Sequence, residues 1–269
     1  MILGLKSSTD IVQIQDRLKY HPDVFEFHLT QNDMTNDGLK RLSEYIDMIK
    51  DKYTQKIILH EPIRYNGFQM EMIMPENFDY NVYNFMMNSI EKIIKLSIDK
   101  NIYSLIHGAF NKETQKYINM YKNFSDAEDT LINRLDYFNK YSDGHLCIEN
   151  SISSLWGYSD PKVRYIAKKH QYKLAFDTSH AFIQAKGSNK ILIESLKDLH
   201  DNIVHYHLVD SNGLFHDSLE IGKGKIDWEK VIPVLNLNAT LIYEINLKNQ
   251  EDAKEQINSY HYLLNLLSK

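Results

Sequence analysis

The amino-acid sequence predicts an α/β fold, a single (β/α)8 TIM barrel with a metal site at the C-terminal face of its strands. Three observations predict it. Short apolar runs alternate with segments of helical period along the chain, the pattern of parallel strands joined by crossover helices. The 269 residues suit one barrel of eight such units. Seven of the runs also end on a side chain that can bind a metal: FEFH (25–28), IILHE (57–61), YSLIH (103–107), LCIEN (146–150), LAFDTSH (174–180), IVHYH (203–207) and LIYE (241–244). A carboxylate or imidazole at the end of a buried strand is costly unless it is paired or ligated. Seven such costs in one register have a common cause if the strands close around one axis and their ends share an ion.

The remaining strand is the first run, Ile2 to Leu5, which has no such terminal group. Helical periodicity is expected at 10–20, 36–52, 78–100, 113–140, 160–171, 189–201, 227–236 and 249–268. In the second of these, Leu39, Leu42, Tyr45, Ile46 and Ile49 recur at helical spacing, as do Phe85, Met86, Ile90, Ile93, Ile94 and Leu96 in the third. No linker, repeat or low-complexity segment interrupts residues 1–269, which read as one domain. An open doubly wound sheet is the main alternative. No glycine-rich turn follows the first strand, which weakens a dinucleotide-binding version of it. The long segments 62–77 and 208–226 fall on the C-terminal face of a barrel. The first carries Arg64, Tyr65, Phe68 and three methionines. It reads either as a lid or as a loop packing its own apolar residues.

At 43% hydrophobic and 25% charged, the composition is that of an ordinary globular protein. A net charge of −5 supplies no global basic field for nucleic acid. The single cysteine, Cys147, lies inside an apolar run and reads as a core residue. The N-terminal residues read as a strand and turn rather than a signal peptide, and no apolar run approaches the roughly 18–20 residues of a membrane span. The expected compartment is the cytoplasm, with no membrane partner. The oligomeric state is left open, a homo-oligomer included.

Glu149, Asp177, His207 and Glu244 end the fifth to the eighth strands. Two glutamates, an aspartate and a histidine form a mixed oxygen and nitrogen set suited to zinc, manganese, iron or magnesium. The two glutamates are candidate catalytic residues, acid and base on opposite faces of a substrate carbon. His60 and His107 end the third and fourth strands and are candidates for a second metal next to Glu149 or for substrate contact. His180 lies three residues after Asp177, and His216 in the long loop could meet it. His205 and His207 point to the same side of one strand, and His207 is preferred because it lies nearer the strand end. In the second strand either His28 or Glu26 is the inward group near substrate. Arg64 and Lys223 are the nearest loop cations for a phosphate. Trp156 either stacks on a sugar or packs in the core.

The segments IEN (148–150), FDTSH (176–180), HLVDSNG (207–213), IGKGKIDW (221–228) and YE (243–244) resemble the xylose-isomerase-like TIM barrels, a superfamily of sugar isomerases and epimerases, myo-inositol-pathway enzymes and endonuclease IV. The segments arrive in family order over nearly the whole chain. The resemblance implies one divalent metal held by Glu149, Asp177, His207 and Glu244, proton transfer by Glu149 and Glu244, and substrate contact by His180. Similarity to endonuclease IV implies more: His60 and His107 match ligands of its three-metal site, and His180 matches a ligand of its remaining metal. The Asp-x-His pair of that site is not reproduced. FHDSLEIGKG (215–224) puts His216 and Ser218 in its place, or, with a two-residue insertion, His216 on the histidine alone.

The leading expectation is a divalent-metal sugar, polyol or sugar-phosphate isomerase or epimerase binding one metal, with two or three as alternatives. The second is an endonuclease IV-like phosphodiesterase acting on abasic DNA. The acidic net charge and the few cations of the strand-end loops, Arg64, Lys112, Lys186, Lys223 and Lys225, count against it. The third is a non-catalytic barrel that binds a sugar.

Overall fold

Eight parallel strands, built on the apolar runs, form the inner wall of the molecule in a computed structural model that describes residues 1–110 and 112–268. They are β1 (Gly4–Ser7), β2 (Val24–His28), β3 (Ile57–His60), β4 (Tyr103–His107), β5 (Leu146–Glu149), β6 (Leu174–Asp177), β7 (Ile203–Leu208) and β8 (Thr240–Tyr243). Their order in the sheet follows the chain, and every hydrogen-bonded pair is parallel. The result is a nearly closed (β/α)8 barrel. At the seam between β1 and β8, a Cβ on Gly4 would stand 1.7 Å from the Leu241 carbonyl oxygen. Only a residue without a side chain permits that approach.

Helices α1 (Ile11–Leu18), α2 (Asn36–Lys52), α3 (Tyr80–Lys100), α4 (Lys112–Ile118), α5 (Phe124–Tyr141), α6 (Pro161–Lys169), α7 (Thr178–Gln184), α8 (Asn189–Leu199), α9 (Trp228–Val231) and α10 (Lys254–Leu267) alternate with the strands. Most start where the sequence supplies an N-cap. Asp10, Asp79, Asn123, Asp160 and Ser188 each accept from a first-turn backbone N–H.

Several boundaries differ from expectation. β1 begins two residues later than the apolar run. The helix expected over 113–140 is two helices, because Asn123 caps a fresh start at Phe124. The helix expected over 227–236 stops at Val231 and continues only as a short 3-10 turn containing Pro233, which has no N–H to donate. α7 was not expected; it starts directly on the β6 end, where the Asp177 side chain accepts from the His180 backbone N–H. Segment 62–77 forms a small hairpin, Arg64–Tyr65 with Phe68–Gln69, and then buries Met70, Met72, Ile73 and Met74. It packs its own apolar residues. Lys112 lies outside the residues whose side chains are described. No helix among the described residues is long and apolar enough to cross a membrane.

The barrel floor is a small buried cluster of Val24, Ile58, Leu105, Cys147, Ala175 and Ile242. Each precedes by two residues a polar strand-end residue: Glu26, His60, His107, Glu149, Asp177 and Glu244. With a period of two, floor and site residue point to the same side of the strand. The register aligns these ends: His28 lies opposite His60, His107 opposite Glu149, and Asp177 opposite His207. The inward polar residues therefore share one layer above the floor, at the C-terminal face.

Candidate metal centre

Glu149, Asp177, His207 and Glu244 offer donor atoms all within 4.8 Å of one another, and so do His60, His107 and Glu149. Glu149 belongs to both groups. One of its carboxylate oxygens, Oε1, lies 3.3 Å from His207 Nδ1 and the other, Oε2, 3.3 Å from His107 Nε2 and 3.7 Å from His60 Nε2. Two donors bound about 2.1 Å from one tetrahedral ion stand about 3.4 Å apart, so the spacings match edges of a coordination shell.

Four histidines are braced from behind. The Nδ1 of His60 bonds the Glu61 carbonyl at 3.1 Å, and that of His107 lies 3.2 Å from Glu61 Oε1. His207 Nε2 donates to Glu26 Oε2 at 3.0 Å, and His180 Nδ1 bonds the Asn150 carbonyl at 2.9 Å. A ring nitrogen that donates outward leaves the other nitrogen's lone pair for the pocket, the tautomer a metal ligand needs. His180 Nε2 then meets His216 Nε2 at 3.2 Å, with Ser218 Oγ 3.3 Å from the same His216 nitrogen. Asn150 braces the Asp177 backbone on both sides, accepting from its N–H at 2.7 Å and donating to its carbonyl at 3.0 Å.

The fit to a cation shows in what remains unpaired. Both oxygens of Glu149, Oδ2 of Asp177 and Nδ1 of His207 are buried without a hydrogen-bond partner among the described residues. Buried polar atoms of this kind are rare unless something binds them. His207 Nδ1 does approach Glu244 Oε2 at 2.7 Å, but as an ion pair rather than an aligned hydrogen bond.

The charges are strongly coupled. Burial alone would favour neutral carboxyls, but His207 and His107 outweigh it at Glu149, and Lys6 and His207 outweigh it at Glu244, so both lie below the usual carboxylate range. Burial pushes Asp177 the other way, upward, helped by Glu149 and Glu244. Burial would neutralise His207, yet Glu26, Glu149 and Glu244 hold its pKa well above the ordinary value. At His107 burial is likewise outweighed, chiefly by Glu149 and Glu61, and its pKa is raised. His60 is pressed well below its ordinary value by burial and then by Lys6 and His107. The carboxylates that favour protons on His107 and His207 are the ones a divalent cation would balance.

Two groups were not singled out by the sequence, Lys6 and Glu61, and a third was given another role. Lys6, from β1, pairs with Glu244 Oε1 and lies 3.4 Å from Glu26 Oε1. No strand-end pattern marks it, although the β1–β2 register places it opposite Glu26. Glu61 follows His60 at once in the run IILHE and was legible there as a strand-end acid. Glu26 was weighed as a substrate contact. It instead lies wholly buried beneath the ligands, held by His205 Nε2 and His207 Nε2, each at 3.0 Å. His28 stands beside it at the rim, its ring 5.2 Å from that of His60.

The expected substrate contacts fare differently. Trp156 is 1% exposed and packs against Tyr158 and Tyr172, which leaves it no face for a sugar. Arg64 projects from the exposed hairpin. Lys223 is exposed and pairs with Glu220 on its own turn.

No family model matches the chain. The uncharacterized protein MJ1614 of Methanocaldococcus jannaschii is 28% identical over 134 residues, 48% of this chain and 51% of that protein; the match therefore spans about half of that relative. Among solved structures, a D-tagatose 3-epimerase-like protein superposes with a TM-score of 0.73 at 16% identity, covering 100% of this chain and 97% of that one. An AP endonuclease, family 2, from Brucella melitensis superposes with a TM-score of 0.64 at 13% identity, covering 97% and 99%. Sugar epimerases and AP endonuclease-like proteins thus share this architecture, and the fold of the chain is that of the xylose isomerase-like TIM barrels.

Proposed function

We propose that the protein is a metal-dependent phosphoesterase with two adjoining metal positions that share Glu149. One is formed by His60, His107 and Glu149, the other by Glu149, Asp177, His207 and Glu244. The observation that carries this reading is the position of Glu149, with one oxygen turned to each donor set and neither hydrogen-bonded among the described residues. Bound divalent ions would supply Lewis acidity toward a phosphoryl oxygen and lower the pKa of water.

The chain's own residues set the rest. Glu61, Glu26 and Asn150 fix the histidine tautomers, so ligands are oriented before anything binds. His180 and His216, 3.2 Å apart, extend the donor array toward the β7 loop. Lys6 holds Glu244 Oε1. That contact also explains why the isomerase or epimerase reading, favoured by the sequence, fits less well. A glutamate that takes a proton from carbon needs an unencumbered oxygen. Here Glu149 is enclosed by histidines, and Oε1 of Glu244 is occupied by the Lys6 ammonium.

Metal analysis on protein purified without a tag or chelator tests this directly. About two equivalents per chain are expected, with hydrolysis of bis(p-nitrophenyl) phosphate or of a duplex carrying an abasic site. The double change His60→Ala and His107→Ala should remove one equivalent and lower that hydrolysis by about 100-fold or more. One equivalent in the wild type, with ketose epimerisation unaffected by the double change, would return the assignment to the isomerase.

A further inference from the structure

Six strands place Val24, Ile58, Leu105, Cys147, Ala175 and Ile242 in the barrel floor, but β7 places an imidazole at that level. His205 lies two residues before His207, on the same side of the strand. It stands opposite the floor residue Ala175 in register and is 1% exposed. A polar group buried without partners costs roughly 2–7 kcal/mol, so filling the floor alone is better done by an apolar side chain. Both ring nitrogens are engaged: Nδ1 lies 2.7 Å from Thr240 Oγ1 and Nε2 3.0 Å from Glu26 Oε2. With the Thr240 hydroxyl giving its proton to Nδ1, the Nε2 proton is the one given to Glu26.

Glu26 is drawn from two sides. Its Oε2 accepts from His205 and from His207, each at 3.0 Å. Its Oε1 has no hydrogen bond among the described residues and faces the Lys6 ammonium at 3.4 Å. Without His205, Oε2 would keep a single partner while the ammonium went on drawing Oε1 toward β1. A carboxylate turned that way leaves His207 Nε2 behind, and the ring then has no fixed aim for its Nδ1, which stands 3.3 Å from Glu149 Oε1. The His205 and His207 rings also meet edge to face, 5.2 Å apart at 87°, so His205 bounds the space in which His207 can turn. We propose that His205 is a positioning residue of the metal centre: it pins Glu26 Oε2 against the pull of Lys6, and Glu26 so pinned aims His207 Nδ1 at the ion. This role rests on His207 being a ligand, as in the function proposed above, and adds the residue that sets the ligand's direction. His205 itself touches neither ion nor substrate. Glu26, His205 and His207 lie close enough to hold an ion of their own, but the Lys6 ammonium beside Glu26 repels a cation there, and His207 Nε2 is already given to Glu26.

Two polar substitutions separate positioning from filling. In His205→Gln the side-chain amide reaches the place of Nε2, whereas in His205→Asn it reaches only the place of Nδ1 and keeps the Thr240 contact. A residue needed by Thr240 and the floor is better replaced by asparagine, and a residue needed by Glu26 by glutamine. The measurements are zinc affinity by chelator competition and crystal structures of the metal-free variants. His205→Asn should weaken zinc at one of the two positions by about tenfold, while His205→Gln stays within about threefold of the wild type. In the metal-free crystals Glu26 should turn toward Lys6, and the His207 ring rotate, in the asparagine variant only. Where His205→Asn fails to fold, His205→Leu, the kind of residue other strands place in this layer, carries the same expectations. Equal losses in the glutamine and asparagine variants, no loss in the asparagine variant, or Glu26 and His207 unmoved in it would overturn the positioning role. A whole equivalent of zinc missing from both variants at saturation would overturn it in favour of a third ion on Glu26, His205 and His207. A wild type that takes up no zinc, with Glu26 and His207 still displaced by asparagine and kept by glutamine, would uphold the role of His205 in aiming His207 and remove the metal reading instead.

Discussion

Glu26 is the residue on which the electrostatics of the centre turn. Its carboxylate is wholly buried and takes bonds from His205 and His207 on one oxygen while the other faces Lys6. Burial opposes its ionisation, yet His207 and Lys6 hold its pKa well below the ordinary value. Replacing it by the isosteric amide should therefore change orientation and charge without changing shape. Glu26→Gln is expected to lower metal affinity by roughly 10–100-fold, as read by competition with a chromogenic chelator. Unchanged affinity would mean that His207 is oriented by the barrel wall alone. His107 and His207 carry the complementary prediction. Their raised pKa values favour the protonated rings when no cation is present, and a cation that binds there competes with those protons. Metal loading in weakly buffered solution at pH 7 should release about one to two protons per chain, with affinity rising as pH rises. Loading with no proton release would show that the rings are already neutral.

The strand is the element that made this site readable. Glu149, Asp177 and Glu244 each sit two positions after an apolar floor residue, and His207 two positions after the buried His205, so the meeting of these four strand ends was legible from spacing. The same logic reached His60, His107 and the meeting of His180 with His216. It did not reach Lys6, because β1 offers no run of inward groups. Nor did it give the burial of Trp156, because the β5–α6 loop has no period and its packing depends on Gly108 and Tyr172, which are distant in sequence. Helix ends were legible where a cap stands in the sequence. They were missed where a periodic stretch hid a second start, as at Asn123. The element most open to test is β1. The near-contact at Gly4 means that any side chain must push β1 away from β8. Gly4→Ala should cost roughly 3 kcal/mol in urea unfolding, whereas the same change at Gly67, with nothing within 4 Å of the added carbon but a left-handed φ of +83°, should cost much less through packing.

At the scale of the molecule, the candidate ligands come from β3, β4, β5, β6, β7 and the residue after β8, so ions in the two proposed positions would together tie three-quarters of the barrel circumference. Anything that binds the folded chain and not the unfolded one raises its stability by mass action. Stripping the metal with a chelator and exchanging the chelator away should lower the melting temperature, by an amount equivalent to about 4 kcal/mol if the ion was present at about 1,000 times its dissociation constant. An unchanged melting temperature would show that the ligand array is held by the barrel and the histidine–carboxylate pairs without help.

Among the described residues the backbone ladder runs from β1 round to β8, and no strand pairing is found between those two. The gap is bridged instead by the Gly4 contact and by the Lys6–Glu244 ion pair, which belongs to the site itself. The barrel therefore has a zip whose slider is a functional group. Amide hydrogens along β1 and β8 should trade with deuterium sooner than those of β4 to β6, and the difference should shrink when Glu244 is engaged. A protein built this way reports occupancy of its site in the breathing of its closure.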